Sequence, residues 1–289
     1  MTLPSPFVST QWLSDNLDNK DVSIVDASWY LPSAQRNPEA EFEDIHIPGA
    51  IYFDLDKIAD TSIDLPHMVA SPERFGEMVG KLGISHSDII VIYDSAGLLS
   101  AARVWWNFSM MGAKNCFVLA GGLPRWLEEK RPTESGPANP VRRSFKAERQ
   151  EEAVVTAGQL LAHINETPDP AIAQIVDVRP AARFAGTAPE PRTGLSSGHM
   201  PDSFNLPFGD LIFEGALRSP DEIRALFENA GIDLNKPIVS SCGSGVTAPI
   251  LNLALHSIGI KAWRVYDGSW AEWGADPDLP VIGDKGKLI

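Results

Sequence analysis

The sequence predicts an α/β protein of two tandem domains, each an open parallel sheet with helices on both faces. Three observations carry this expectation. The chain has 289 residues, 44% of them hydrophobic, enough for two cores of roughly 145 residues each. It repeats itself with a period of about 150 residues, which means a duplicated domain rather than a solenoid. And short apolar runs alternate with helical stretches in each half, the rhythm of βαβ units.

The repeat is legible in four ordered matches. Val22-Ser23-Ile24-Val25-Asp26 is answered by Ala173-Gln174-Ile175-Val176-Asp177, and Asp44 to Ala50 by Ser197 to Ser203. Ile90 to Asp94 aligns with Ile238 to Cys242, and Ala120-Gly121-Gly122 with Tyr266-Asp267-Gly268, each followed by tryptophan. Strands are expected at Ile24-Val25, Ile89 to Tyr93 and Cys116 to Leu119, and again at Gln174 to Val178, Ile238 to Ser241 and Ala262 to Tyr266. These runs are apolar throughout, as strands covered on both faces should be. Helices are expected at Pro72 to Leu82, Ser100 to Met111, Thr156 to Asn165, Asp221 to Ala230 and Val246 to Ile258. The polar, Pro- and Gly-rich stretch Lys130 to Pro140 reads as a linker of limited flexibility. The expected organisation is a first domain over 1–130, a linker over 131–152 and a second domain over 153–289.

The formal net charge is −14. Such a surface repels nucleic acid and anionic lipid, so neither is an expected partner. There is no apolar run of membrane-spanning length and no basic-then-apolar leader, and two cysteines cannot staple a secreted chain of this size. A cytoplasmic, reduced protein is expected. No metal site is expected either, since Cys116 and Cys242 are far apart and neither belongs to a C-x-x-C pair.

The chemistry-bearing stretch is Pro237 to Ala248, in which a buried strand ends, a loop of small residues follows and a helix begins. Ligands of parallel α/β sheets bind at the carboxyl ends of strands. Gly243 and Gly245 allow a tight loop whose backbone N–H groups converge, and the following helix start favours negative charge. A thiolate or persulfide on Cys242 would be stabilised there. Cys116 sits mid-strand among apolar neighbours and reads as a core residue.

At this point the sequence resembles the tandem rhodanese-fold sulfurtransferases, and within them the 3-mercaptopyruvate sulfurtransferases. The most specific piece is Cys242-Gly243-Ser244-Gly245-Val246-Thr247; Ala27-Ser28-Trp29, His46 to Ala50, Pro66-His67-Met68 and Tyr266 to Trp270 also match. Asp94 stands at the cysteine position of the first half, as in the family's inactive N-terminal domain. Thiosulfate-preferring members carry basic residues just after the cysteine, whereas Gly243 and Ser244 are neutral.

The resemblance implies that Arg183 and Arg192 bind the substrate carboxylate, a grip that arginine makes through paired hydrogen bonds. It implies a Ser–His–Asp relay with Ser244 and His46 as its first two members. The acid is missing between Leu31 and Asn37, with Asn37 or Glu39 as stand-ins. His46 could equally be a structural residue tying down its turn. His199, its counterpart, reads as structural, and the role of His67 does not follow from the residues. Trp105 and Trp106 read as core or interface; Trp270 and Trp273 could also wall a site.

The implied reaction begins with Cys242 attacking the sulfur of 3-mercaptopyruvate. Pyruvate leaves, and a persulfide remains in the amide cradle of Gly243, Gly245, Val246 and Thr247 until a thiol, such as a thioredoxin-like protein, or cyanide removes the outer sulfur. No cofactor is needed. Two alternatives stay open: a thiosulfate:cyanide sulfurtransferase, and a non-enzymatic sulfur-carrying or protein-binding module. A Cys-x5-Arg phosphatase does not fit, because Ala248 occupies the arginine position.

Overall fold

The computed structural model describes residues 5–165, 169–261 and 263–283. Two compact units emerge. One takes in the described residues to Ser62 together with Val69–Gln150 and Glu214–Ala216; the other takes in Ile63–Met68, Glu151–Phe213 and the described residues from Leu217 onward.

The first unit runs β1 (Phe7–Val8), α1 (Thr10–Ser14), β2 (Val22–Asp26), α2 (Pro38–Asp44), β3 (Ala50–Tyr52), α3 (Leu55–Ile58), α4 (Pro72–Lys81), β4 (Ile89–Tyr93), α5 (Ala101–Met110), β5 (Cys116–Leu119) and α6 (Gly122–Glu128). Its strands pair in the order β1-β5-β4-β2-β3, every pair parallel. The second unit runs β6 (Val154–Val155), α7 (Ala157–Ile164), β7 (Gln174–Asp177), α8 (Ala181–Phe184), β8 (Ser203–Asn205), β9 (Ile212–Phe213), β10 (Ala216–Leu217), α9 (Pro220–Asn229), β11 (Ile238–Ser241), α10 (Ala248–Ser257), β12 (Trp263–Tyr266) and α11 (Ser269–Trp273). Its main sheet has the order β6-β12-β11-β7-β8, again all parallel, which is the first sheet repeated strand for strand. The central strands are buried along their lengths, as their uninterrupted apolar runs require.

Local chemistry fixes where the helices begin. Ser71 accepts the N–H of Arg74 ahead of Pro72 at the start of α4. Thr156 with Gln159 and Ser219 with Glu222 form capping boxes on α7 and α9. The predicted helix from Val246 begins two residues later, at Ala248, because Gly245 takes a left-handed φ of +75° that no helix accommodates. Four edge strands, β1, β3, β6 and β8, were not expected from the sequence; each has three residues or fewer, too short for a periodicity to register. Ala262, the expected first residue of the last strand, lies outside the described residues. Trp105 and Trp106 are buried in α5, as a core position demands.

The expected linker is packed against the first unit from Arg131 to Gln150. Its anchor is Arg143, which makes paired 2.7 Å bonds to the buried carboxylate of Asp88 and donates its backbone N–H to the Gly80 carbonyl. Asp88 also accepts from Ser23 at 2.7 Å, so the strap is tied to β2. Phe145 stacks edge-on against Phe75 and Phe108. This close approach uses two glycines one turn apart on α4. A Cβ on Gly76 would lie 2.6 Å from the Phe145 carbonyl oxygen, and one on Gly80 2.7 Å from that of Arg143. Ala ordinarily stabilises a helix interior by about 1 kcal/mol over Gly. Here the sign reverses, because backbone on both sides has to move: Gly80→Ala should destabilise by about 2 kcal/mol, read as a lower urea midpoint at unchanged slope.

Candidate active site

The carboxyl end of the central strand carries the distinguishing residue in both units: Asp94 after β4 and Cys242 after β11. The two loops are built alike. Leu123 donates its N–H to the Asp94 carbonyl at 3.0 Å, and Trp270 donates to the Cys242 carbonyl at 3.0 Å. These bonds place Gly122 opposite Ser269, one residue from the pairing that the sequence suggests. The shared conformation agrees, with φ of +55° at Gly122 and +51° at Ser269.

The Asp94 loop shows what this geometry holds. The Asp94 carboxylate, almost wholly buried, accepts N–H groups from Ala96 at 3.0 Å, Leu99 at 2.7 Å and Ala101 at 2.8 Å. Burial pushes its carboxyl up, and the loop amides act in the opposite direction. A carboxyl group thus sits in a ring of backbone donors where the second unit has a thiol. By the repeat, Ser244 and Thr247 stand at the positions of Ala96 and Leu99.

Exposure does not separate the two cysteines, since both are buried and free; their neighbours do. Cys116 lies in β5, its thiol facing the Trp105 carbonyl at 3.8 Å, and burial pushes that thiol well up. Cys242 follows β11. Its backbone N–H donates to the Ser269 hydroxyl at 3.2 Å, and that hydroxyl lies 4.0 Å from the Cys242 Sγ while bonding the Tyr266 carbonyl at 2.9 Å. Ser269 escaped the sequence reading as a site residue. A serine in a left-handed conformation, where the other repeat has glycine, is its signal.

Arg183 ends the short helix α8, and its guanidinium reaches the cysteine loop. A Cβ on Gly243 would stand 3.1 Å from one of its terminal nitrogens. Arg192 lies half-buried in the loop that follows. Between them in sequence is Glu190, a buried carboxylate that binds Arg183 through Nε at 3.0 Å and through a terminal nitrogen, and binds Arg179 at 2.7 Å. Arg179 in turn grips Asp177 at the end of β7 with bonds of 2.6 to 3.1 Å and lies 4.0 Å over the Trp270 ring. Trp270 and Trp273 are therefore fully buried core residues, and their indole N–H groups bond the carbonyls of Ser196 and Pro280.

The contacts of His46 favour its structural reading over the relay. Its ring stacks on Phe42 at 4.0 Å, Nδ1 lies 2.7 Å from the Phe42 carbonyl, and its backbone pairs with Glu134 in both directions. It precedes β3, and so lies at the amino edge of its parallel sheet, opposite the edge that holds Asp94. His199 repeats the arrangement: a 3.9 Å stack on Phe184, Nδ1 2.7 Å from the Phe184 carbonyl, and backbone pairing with Ile282. A histidine used identically in both repeats is pinning the turn ahead of a strand. The suggested acids have other work, since Asn37 caps α2 and Glu39 faces Lys57. His67, by contrast, has no counterpart histidine in the other half of the sequence. It is buried with a left-handed φ of +62°, and its segment, Ile63–Met68, belongs to the second unit despite its place in the first half of the sequence.

Asp26 occupies in the first unit the place of Asp177 in the second, but Ser28 stands where Arg179 would be. Burial without a neighbouring cation pushes the Asp26 carboxyl up to about 6. The folded protein therefore holds this proton where the unfolded chain has released it, and stability falls as pH rises from about 4 through about 6, by roughly 2–3 kcal/mol. Asp26→Asn should remove this part of the pH dependence, measured as urea unfolding free energy between pH 4 and 7.

Comparison with known proteins agrees with this architecture. A model of the rhodanese-like domain matches residues 9–129 and again 156–276. The mitochondrial thiosulfate/3-mercaptopyruvate sulfurtransferase 1 of Arabidopsis thaliana is 42% identical over 96% of this chain and 78% of its own length. The 3-mercaptopyruvate sulfurtransferase of Homo sapiens is 40% identical over 97% of this chain and 96% of its own. The crystal structure of SseA from Escherichia coli, described as a 3-mercaptopyruvate sulfotransferase, superposes with a TM-score of 0.84 at 36% identity, over 93% of this chain and all of that one.

Proposed function

The chain belongs to the rhodanese family and is a sulfurtransferase, and we propose that it takes sulfur from 3-mercaptopyruvate through a persulfide on Cys242 and passes it to a thiol. The observation that carries this reading is the loop itself. Cys242 occupies, in the second unit, the place where the first unit's loop closes three backbone amides on the carboxyl oxygens of Asp94.

The reaction follows from that placement. The Cys242 thiolate attacks the sulfur of 3-mercaptopyruvate, the carbon–sulfur bond breaks, and its electrons leave as the enolate of pyruvate, which takes up a proton. The outer sulfur then carries the negative charge in the loop until an acceptor thiol, or cyanide, attacks it. Cyanide and a thioredoxin-like dithiol are the acceptors that the family suggests. Arg183 and Arg192 hold the carboxylate end of the substrate, and Ser244, two residues after the nucleophile, supplies the hydroxyl that faces the departing enolate. For the histidine of the proton relay, His67 replaces His46. It is the histidine without a structural double, and its segment packs with the unit that carries Cys242. A reducing compartment such as the cytoplasm suits an enzyme whose two cysteines are free and whose acceptor is a thiol; among the described residues no helix is long and apolar enough to cross a membrane.

Thiosulfate is the second donor to test, because the Arabidopsis thaliana relative carries both donors in its name. The wild-type protein should show the higher kcat/KM with 3-mercaptopyruvate; a faster reaction with thiosulfate would overturn the choice of donor. Losing one charge-assisted carboxylate contact costs roughly 30- to 1000-fold in kcat/KM. Arg192→Ala should show that loss with 3-mercaptopyruvate and a far smaller one with thiosulfate, while equal losses would assign Arg192 to holding the loop. Cys242→Ser should abolish turnover with either donor, and Cys116→Ser should leave kcat/KM within about threefold of wild type, consistent with a core thiol.

A further inference from the structure

Four charged side chains alternate in sign from the end of β7 to the cysteine loop: Asp177, Arg179, Glu190 and Arg183. The first three are almost completely buried, and the Arg183 side chain, whose guanidinium lies beside Gly243, is one-fifth exposed. Two anions and two cations cancel. Burying charges is costly unless they are paired and hydrogen-bonded, and the pairing has a consequence for the substrate. Glu190 takes the Nε and one terminal nitrogen of Arg183. Arg183 therefore brings hydrogen-bond donors to the loop without bringing net positive charge. The first unit, whose loop carries no nucleophile, lacks this chain, since Ser28 follows Asp26 where Arg179 follows Asp177.

We propose that Glu190 is a specificity-determining residue, which fixes Arg183 beside Gly243 and cancels its charge so that the site favours a singly charged sulfur donor over a doubly charged one. This rests on the proposed 3-mercaptopyruvate reading and sharpens it. A 2-oxo-carboxylate needs planar donors for its oxygens and one unit of positive charge. A dianion such as thiosulfate needs two units close to its sulfur, and neutral Gly243 and Ser244 supply none. The same geometry explains the glycine after the nucleophile: any side chain at Gly243 would press on the Arg183 guanidinium.

The test compares wild type and Glu190→Gln for kcat/KM with 3-mercaptopyruvate and with thiosulfate, using cyanide as common acceptor and following thermal unfolding of the same samples. Releasing the Arg183 charge should lower the ratio of 3-mercaptopyruvate to thiosulfate by about tenfold, with a lower KM for thiosulfate. Glu190→Asp, which keeps the charge, should hold the ratio within about threefold of wild type even if both rates fall. A folded Glu190→Gln protein with an unchanged ratio would overturn the proposal and assign Glu190 to bracing alone. Should that variant not fold, the double variant Glu190→Gln/Arg183→Gln removes one charge of each sign and is compared with Arg183→Gln. The added Glu190 change should then favour thiosulfate by about tenfold, and no change in the ratio would again overturn the proposal. A wild-type preference for thiosulfate is a different failure, that of the donor assignment itself.

Discussion

A negative charge buried at the carboxyl end of a parallel strand has to be met by hydrogen-bond donors, and the cheapest donors available are the backbone amides of the loop that follows. Both units are organised around that requirement. The first holds the Asp94 carboxyl there with the amides of Ala96, Leu99 and Ala101. The second places Cys242 there, so that in the proposed reaction its loop meets a charge that comes and goes. The sheet order, the buried central strands and the tie from α6 or α11 to the loop carbonyl are common to both. The difference between a structural loop and a reactive one is thus concentrated at the residue that ends the strand.

Around that shared frame the units diverge in charge. Asp26 is left buried beside Ser28, with its carboxyl up at about 6. Asp177 instead begins a chain of ion pairs that runs through Arg179 and Glu190 to Arg183 at the cysteine loop. Such a chain is a costly thing to bury and adds little net stability on its own account. Its presence in the unit that carries Cys242, and not in the other, is the observation behind the proposed role of Glu190 in substrate recognition. Trp270 joins the two systems, because its ring lies under Arg179 and its backbone N–H holds the Cys242 carbonyl.

The sequence made the duplicated α/β fold legible because its central strands are uninterrupted apolar runs and its loops repeat their glycines. The edge strands were hidden, since two or three residues that acquire their partners only in the sheet leave no pattern along the chain. The strand, loop and helix around Cys242 could be read from the sequence. The place of Glu190 could not, because its meaning lies in which two arginines it touches. His46 and His199 make the same ring and carbonyl contacts in the two halves, and a histidine kept in both is a sign of shared folding. His67, present in one half only and joined to the other unit, is the better candidate on the same logic. Ser269 was visible only once the backbone showed a serine in the conformation that Gly122 adopts in the other repeat.

The central claim is that Cys242 carries the sulfur between donor and acceptor. The most direct measurement mixes the protein with 3-mercaptopyruvate in the absence of any acceptor, counts the pyruvate released in the first turnover, and locates added sulfur by peptide mass. The account predicts one pyruvate per chain and one extra sulfur on the peptide that contains Cys242. Sulfur on the Cys116 peptide, or steady pyruvate release from a protein that never gains sulfur, would contradict it.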